Sequence, residues 1–139
     1  MTDQHPSILI VEDDPQILRL LQFILGKEGY EVIAAISGEE ALEILQDTVP
    51  ALILLDNRLP GIDGFTTCQK IRQFSQVPII MVTVMDNLSD KMYEIEIGAD
   101  VHITKPFLPT ELVARVKAVL RRSGMSPPPI SNGVGGPAI

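Results

Sequence analysis

Residues 52–64 read LILLDNRLPGIDG, and the rest of the chain falls into place around them. Ala51 to Leu55 are apolar without interruption and run straight into Asp56. A run this short and this apolar predicts a strand buried on both faces, the habit of a parallel sheet. Pro60-Gly61 and Asp63-Gly64 are strong breakers, so a loop follows at once. Asp56 therefore stands where a central strand ends, and open α/β sheets bind ligands just beyond that end. A lone Asp in that place could do no more than close the strand, so the other strand ends decide its meaning.

Moving outward, Ile8 to Val11 form a second apolar run, ended by Glu12, Asp13 and Asp14. Asp14-Pro15 is a helix start, with Asp as N-cap and Pro at the first helical position. Ile17, Leu21 and Ile24 follow at core spacing, and Gly29 stops the helix. Tyr30 to Ile36 reads as a strand, and Ser37 with Glu40 as a capping box opening a helix to about Asp47. After the central strand, a helix carries Phe65, Cys68 and Ile71 inward. Ile79 to Val82 is a fourth apolar run ended by Thr83, followed by a helix over 88–97 that Gly98 stops. Val101 to Thr104 is a short fifth strand ended by Lys105-Pro106, and a last helix runs from Pro109 to about Arg122. Strand and helix alternate five times with short connections. That pattern predicts a doubly wound, five-stranded parallel α/β sheet with helices on both faces.

Composition agrees with one domain. The chain has 139 residues, 45% hydrophobic and 21% charged, enough for a sizeable core. A net charge of -7 argues against this segment gripping nucleic acid on its own. The single cysteine, Cys68, excludes an internal disulfide and fits a reducing cytoplasm. No apolar run approaches the roughly 20 residues that span a bilayer, and no signal peptide opens the chain. Residues 1–7 read as a polar lead-in and 8–122 as the folded domain. Residues 123–139 contain four Gly and four Pro, which predicts a linker or tail without a core of its own.

Collected together, the strand ends carry Glu12 and Asp13, Asp56, Thr83 and Lys105. Clustered carboxylates repel unless a cation sits among them, and hard oxygen donors that leave room for water and phosphate suit Mg²⁺. Thr83 and Lys105 are then a hydroxyl donor and a point charge placed for phosphoryl oxygens. Asp56 is left as a carboxylate nucleophile, the route to an aspartyl phosphate.

These residues carry a family resemblance. VEDD at 11–14, LLDNRLPGIDG at 54–64, Thr83 and GADVHITKPF at 98–107 resemble the receiver domain of two-component response regulators. The last helix, ELVARVKAVLRR at 111–122, is most similar to the OmpR/PhoB subfamily. The resemblance implies a flavodoxin-like, CheY-like fold with sheet order 2-1-3-4-5 and a cis Lys105-Pro106 bond. It implies phosphorylation of Asp56 by the phosphohistidine of a sensor kinase or phosphotransfer protein. Mg²⁺ would be bound by Asp13, Asp56 and the backbone carbonyl of Arg58, with Glu12 acting through water. It implies a phosphoacceptor rather than a conventional enzyme, in some family members ahead of a winged-helix DNA-binding domain. Receivers also occur alone and in hybrid kinases.

Four departures stand out. His102 occupies the usual place of the switch aromatic, and Val84 follows the threonine where a small residue is usual. Arg58 and Met85 hold two positions that tune dephosphorylation in this family, and Val101 replaces a common acid. Rival readings explain less. A flavodoxin-type nucleotide binder needs a Gly/Ser/Thr-rich phosphate loop where Glu12, Asp13 and Asp14 stand. An Asp-nucleophile phosphohydrolase typically has a second acid where Arg58 stands. A docking module that works without phosphorylation leaves the complete acid–Asp–Thr–Lys set unexplained.

One further expectation concerns assembly. Leu88, Met92 and Ile95 form one apolar stripe on the helix over 88–97, and Tyr93 and Ile97 form another. A surface helix needs one stripe for the core. Opposite charges at Lys91 and Glu111, and at Glu96 and Lys117, with Arg115 beside them, suit a two-fold homodimer. Its surface would combine that helix, the fifth strand and the last helix, coupled to phosphorylation through Thr83 and His102.

Overall fold

The computed structural model describes residues 6–83 and 98–124. Five parallel strands form one sheet: β1 (Ser7–Val11), β2 (Glu31–Ala35), β3 (Leu52–Asp56), β4 (Ile79–Thr83) and β5 (Val101–Thr104). Their spatial order is β2-β1-β3-β4-β5, as the resemblance implies. The described helices are α1 (Pro15–Lys27), α2 (Gly38–Ile44), α3 (Gly64–Arg72) and α4 (Pro109–Arg122). The expected helix over 88–97 lies outside the described residues. So do Leu88, Lys91, Met92, Ile95 and Glu96, together with Val84 and Met85.

Strand alternation sorts the core into two halves. Ile8, Ile10, Leu52, Leu54, Ile80 and Ile103 face α1 and α4, meeting Leu21, Leu25, Leu112 and Val116. Leu9, Val11, Ile53, Leu55, Ile79 and Met81 face α2 and α3, meeting Ala41, Cys68 and Ile71. In register, Ile10 lies beside Leu54, and Leu54 beside Ile80, so each row continues across the sheet. All five residues of β3 and of β4 are buried, whereas β2 and β5 at the edges are partly open. At about 1.5–3 kcal/mol for each large side chain fully buried, these central strands are the most firmly held part of the domain. Asp56 and Thr83 are their last residues. Cys68 is a fully buried core residue.

The helix ends follow local chemistry. Asp14 accepts from the Gln16 amide at 2.9 Å and Pro15 opens α1. Gly29, at φ 93°, closes α1 in a Schellman turn, with its amide on Gly26 O and that of Tyr30 on Leu25 O. That last bond keeps Tyr30 in the turn, so β2 begins at Glu31 rather than at Tyr30. The Ser37 side chain accepts from the Glu40 amide at 3.0 Å, but the Glu40 carboxylate reaches back to the amide of Ile36, one residue beyond the usual capping box. α2 ends at Ile44, short of Asp47, because Gln46 and Asp47 bond to carbonyls only three residues back. Among the described residues no helix is long and apolar enough to cross a membrane.

Candidate functional site

The sheet brings the expected strand-end residues to one edge. Oxygen atoms of Glu12, Asp13 and Asp56 all lie within 4.8 Å of one another, a grouping that could hold a metal ion. Glu12 and Asp56 are 2% and 4% exposed, whereas Asp13 is open to solvent. Lys105 Nζ bridges the two buried acids, 3.2 Å from Asp56 Oδ2 and 3.4 Å from Glu12 Oε1. The peptide bond from Lys105 to Pro106 is cis.

The charge balance is incomplete. Burial first, and the Asp56 carboxylate second, push Glu12 up from its ordinary 4.5 to about 7, against the opposing pull of Lys105 and of the Asp14 amide. That amide donates to Glu12 Oε2 at 3.1 Å. Two buried carboxyls with one ammonium, and a third carboxylate at the rim, form a site that a hard cation would complete.

The loop after Asp56 is built tightly. The Arg58 amide donates to Asp56 Oδ1 at 3.1 Å, curling the chain back over the carboxylate. The Asn57 amide donates to Val82 O at 3.1 Å, and its carbonyl accepts from the Gly64 amide at 3.2 Å. Gly64 packs so closely that an added Cβ would overlap the Asp56 carbonyl oxygen and sit 2.6 Å from Asn57 Cα. Asp63 then caps α3, accepting from the Thr66 amide at 2.8 Å.

Thr83 ends β4 at 1% exposure, in register with Thr104. Its Oγ1 accepts from Asn57 Nδ2 at 2.9 Å. His102 is partly buried on β5, opposite Met81.

Two residues escaped the sequence reading. Asn57 passed for the first residue of a loop, yet it is 5% exposed and touches Thr83. Arg72 carries no motif, yet its guanidinium bonds Val77 O, Ser75 O, Gly98 O and Asp100. No local signal marks either contact, because each depends on pairing across the sheet. Part of the surface named in the assembly expectation is described. Glu111 and Arg115 are exposed on α4, but Lys117 turns to α1 and pairs with Glu28 at 3.0 Å. Lys117 is two residues beyond Arg115, about 200° round a helix of 3.6 residues per turn, and so lies on a different face.

A parallel sheet in the order 2-1-3-4-5, with an acidic, lysine-bridged pocket at its carboxyl edge, defines the CheY-like class of doubly wound domains. Residues 8–117 match the response regulator receiver domain, and the chain belongs to that family. The chain is 48% identical over 125 residues to the "Alkaline phosphatase synthesis transcriptional regulatory protein PhoP" of Bacillus subtilis (strain 168), covering 89% of this chain and 52% of that protein. It is 46% identical over 123 residues to "Probable transcriptional regulator ycf27" of Porphyra purpurea, covering 88% of this chain and 51% of that protein. It thus spans about half the length of these curated relatives. Among solved structures, the BeF3-activated N-terminal receiver domain of Klebsiella pneumoniae RstA superposes with a TM-score of 0.80 at 37% identity, covering 83% of this chain and 98% of that one.

Proposed function

We propose that Asp56 is the phosphoacceptor of this receiver, charged by the phosphohistidine of a sensor histidine kinase or phosphotransfer protein in the cytoplasm. The observation that carries this reading is the Asp56 carboxylate itself. It is buried at the end of a central strand, within 4.8 Å of two other acids and 3.2 Å from Lys105 Nζ. An Asp56 oxygen attacks phosphorus as the phosphorus–nitrogen bond breaks, and the imidazole leaves with its electron pair. Lys105 and the Thr83 hydroxyl meet the phosphoryl oxygens and offset the charge gathering there.

The donor set is all oxygen and suits Mg²⁺, with Asp13, Asp56 and the Arg58 carbonyl as direct ligands and Glu12 acting through water. When bound, Mg²⁺ draws charge from the transferring phosphoryl group. We further propose that the charged form dimerises through residues 88–97, β5 and the Glu111–Arg115 face of α4. The consequence is control of an output such as transcription, the role named for the relatives.

Incubation with a small phosphodonor and Mg²⁺, followed by mapping of the label, tests the reading. Label is expected on Asp56 alone, and is lost in Asp56→Asn and in EDTA. A label that survives either change would overturn it, and a wild-type chain that takes no label would favour a docking module that needs no phosphorylation.

A further inference from the structure

Asn57 takes no part in the reading above, yet its placement is costly. Its peptide is held on both sides, by Val82 O and by the Gly64 amide. Its side chain is 5% exposed, and its Oδ1 is buried with no hydrogen-bond partner among the described residues. An unsatisfied buried carbonyl destabilises a fold, and an apolar side chain of the same size would avoid that penalty. Stability therefore does not account for an asparagine here. The other half of the amide has a specific contact: Nδ2 donates to Thr83 Oγ1 at 2.9 Å, with both residues buried.

The polarity of that contact matters. A threonine hydroxyl both donates and accepts, whereas phosphoryl oxygens only accept. A hydroxyl oxygen that already accepts from an amide must direct its proton elsewhere. We propose that Asn57 is a positioning residue. Through its Nδ2–H it fixes the rotation of the Thr83 hydroxyl, so that Thr83 serves the phosphoryl group as a donor. Were Oδ1 turned to Thr83 instead, it would compete with the phosphoryl oxygen for the same proton. The inference rests on Asp56 as phosphoacceptor, and adds to that site a residue immediately beside it.

A double-mutant cycle on the intact chain tests it, with acetyl phosphate and Mg²⁺ and the labelled fraction followed by intact-protein mass. Asn57→Leu is expected to slow maximal labelling by roughly threefold to tenfold, the worth of one neutral hydrogen bond. The donor concentration giving half-maximal rate should stay unchanged. In a Thr83→Val background the same substitution should slow nothing further. Equal slowing in both backgrounds would overturn the proposal while leaving Asp56 as phosphoacceptor. A wild-type chain that takes no label removes both.

A structural readout that needs no phosphorylation accompanies the cycle. The side-chain amide NMR signal of Asn57 is expected to move in Thr83→Val, and an unmoved signal overturns the contact. This arm compares Thr83→Val with the wild type, so it stands even if Asn57→Leu does not fold.

Discussion

The guanidinium of Arg72 offers the sharpest test of how the sheet edge is held. Nε lies 2.9 Å from Gly98 O, Nη1 lies 2.8 Å from Val77 O and 3.2 Å from Ser75 O, and Nη2 lies 3.0 Å from Asp100 Oδ2. The same Asp100 oxygen accepts from the Ile79 amide at 2.8 Å. One side chain at the end of α3 thus ties the chain entering β4 to the chain entering β5. The Asp100 side chain is 44% exposed, so that ion pair contributes only about 0–1 kcal/mol. The Arg72 side chain is 16% exposed, and its carbonyl contacts are part-buried and charge-assisted. Each is worth up to about 1.5–3 kcal/mol, reduced where water replaces the guanidinium. Arg72→Met is therefore expected to cost about 3 kcal/mol, or on the order of 10 °C in Tm for a domain of this size. Arg72→Lys should recover less than half of that, because one ammonium cannot reach carbonyls on both sides of a planar fork. Urea unfolding of the three proteins measures it. A loss below about 1 kcal/mol for Arg72→Met, or a lysine variant as stable as wild type, would refute the reasoning.

Other substitutions report on the remaining features. Gly64→Ala drives a Cβ into the Asp56 carbonyl and Asn57 Cα, so it should cost about 3 kcal/mol and slow labelling of Asp56; an unchanged melting curve would contradict the close approach. The Tyr30 hydroxyl is buried without a partner among the described residues, and burial pushes its pKa from 10.0 to about 12. The folded state thus keeps a proton that the unfolded state loses, and stability should fall as pH rises from 10 through 12. Tyr30→Phe should remove that slope and cost nothing at neutral pH, as alkaline melts would show. Glu12, raised from 4.5 to about 7, follows the same sign. In EDTA, stability should fall as pH rises through that window, relative to Glu12→Gln, and Mg²⁺ should restore it at the upper end. Parallel pH curves for the two proteins would show that Glu12 titrates as in water.

The fold was legible wherever burial on both faces left a mark in the sequence. Ile8 to Val11, Leu52 to Leu55 and Ile79 to Val82 are continuous apolar runs because helices cover both sides of the strands they form. The turn after α1 was legible at Gly29 but misplaced the start of β2, since the extra bond to Tyr30 cannot be seen in a list of residue types. Glu12, Asp13, Asp56, Thr83 and Lys105 were legible as a set because each ends or directly follows a strand, and parallel strands all end on one side. Asn57 and Arg72 were not, because their roles depend on which backbone or hydroxyl lies opposite. The Lys117–Glu28 pair was not legible either, since Glu28 lies on another element.

The polar groups at this edge run against the logic of the core beneath it. Glu12, Asp56, Asn57 and Thr83 are buried at the mouth of a sheet whose buried interior is otherwise apolar. Two of them are acids sharing one lysine, and a third carries a carbonyl with no hydrogen-bond partner among the described residues. Evenly spread, such groups would weaken the whole domain; gathered at strand ends, they draw their support from β3 and β4, the strands buried along their full length. The strain is therefore local. Positive charge brought to the two carboxylates would relieve part of it. A cation would supply that charge at the rim, where Asp13 is open to solvent. The sheet is less buried at its periphery, where β5 is a four-residue edge strand with His102 partly buried upon it.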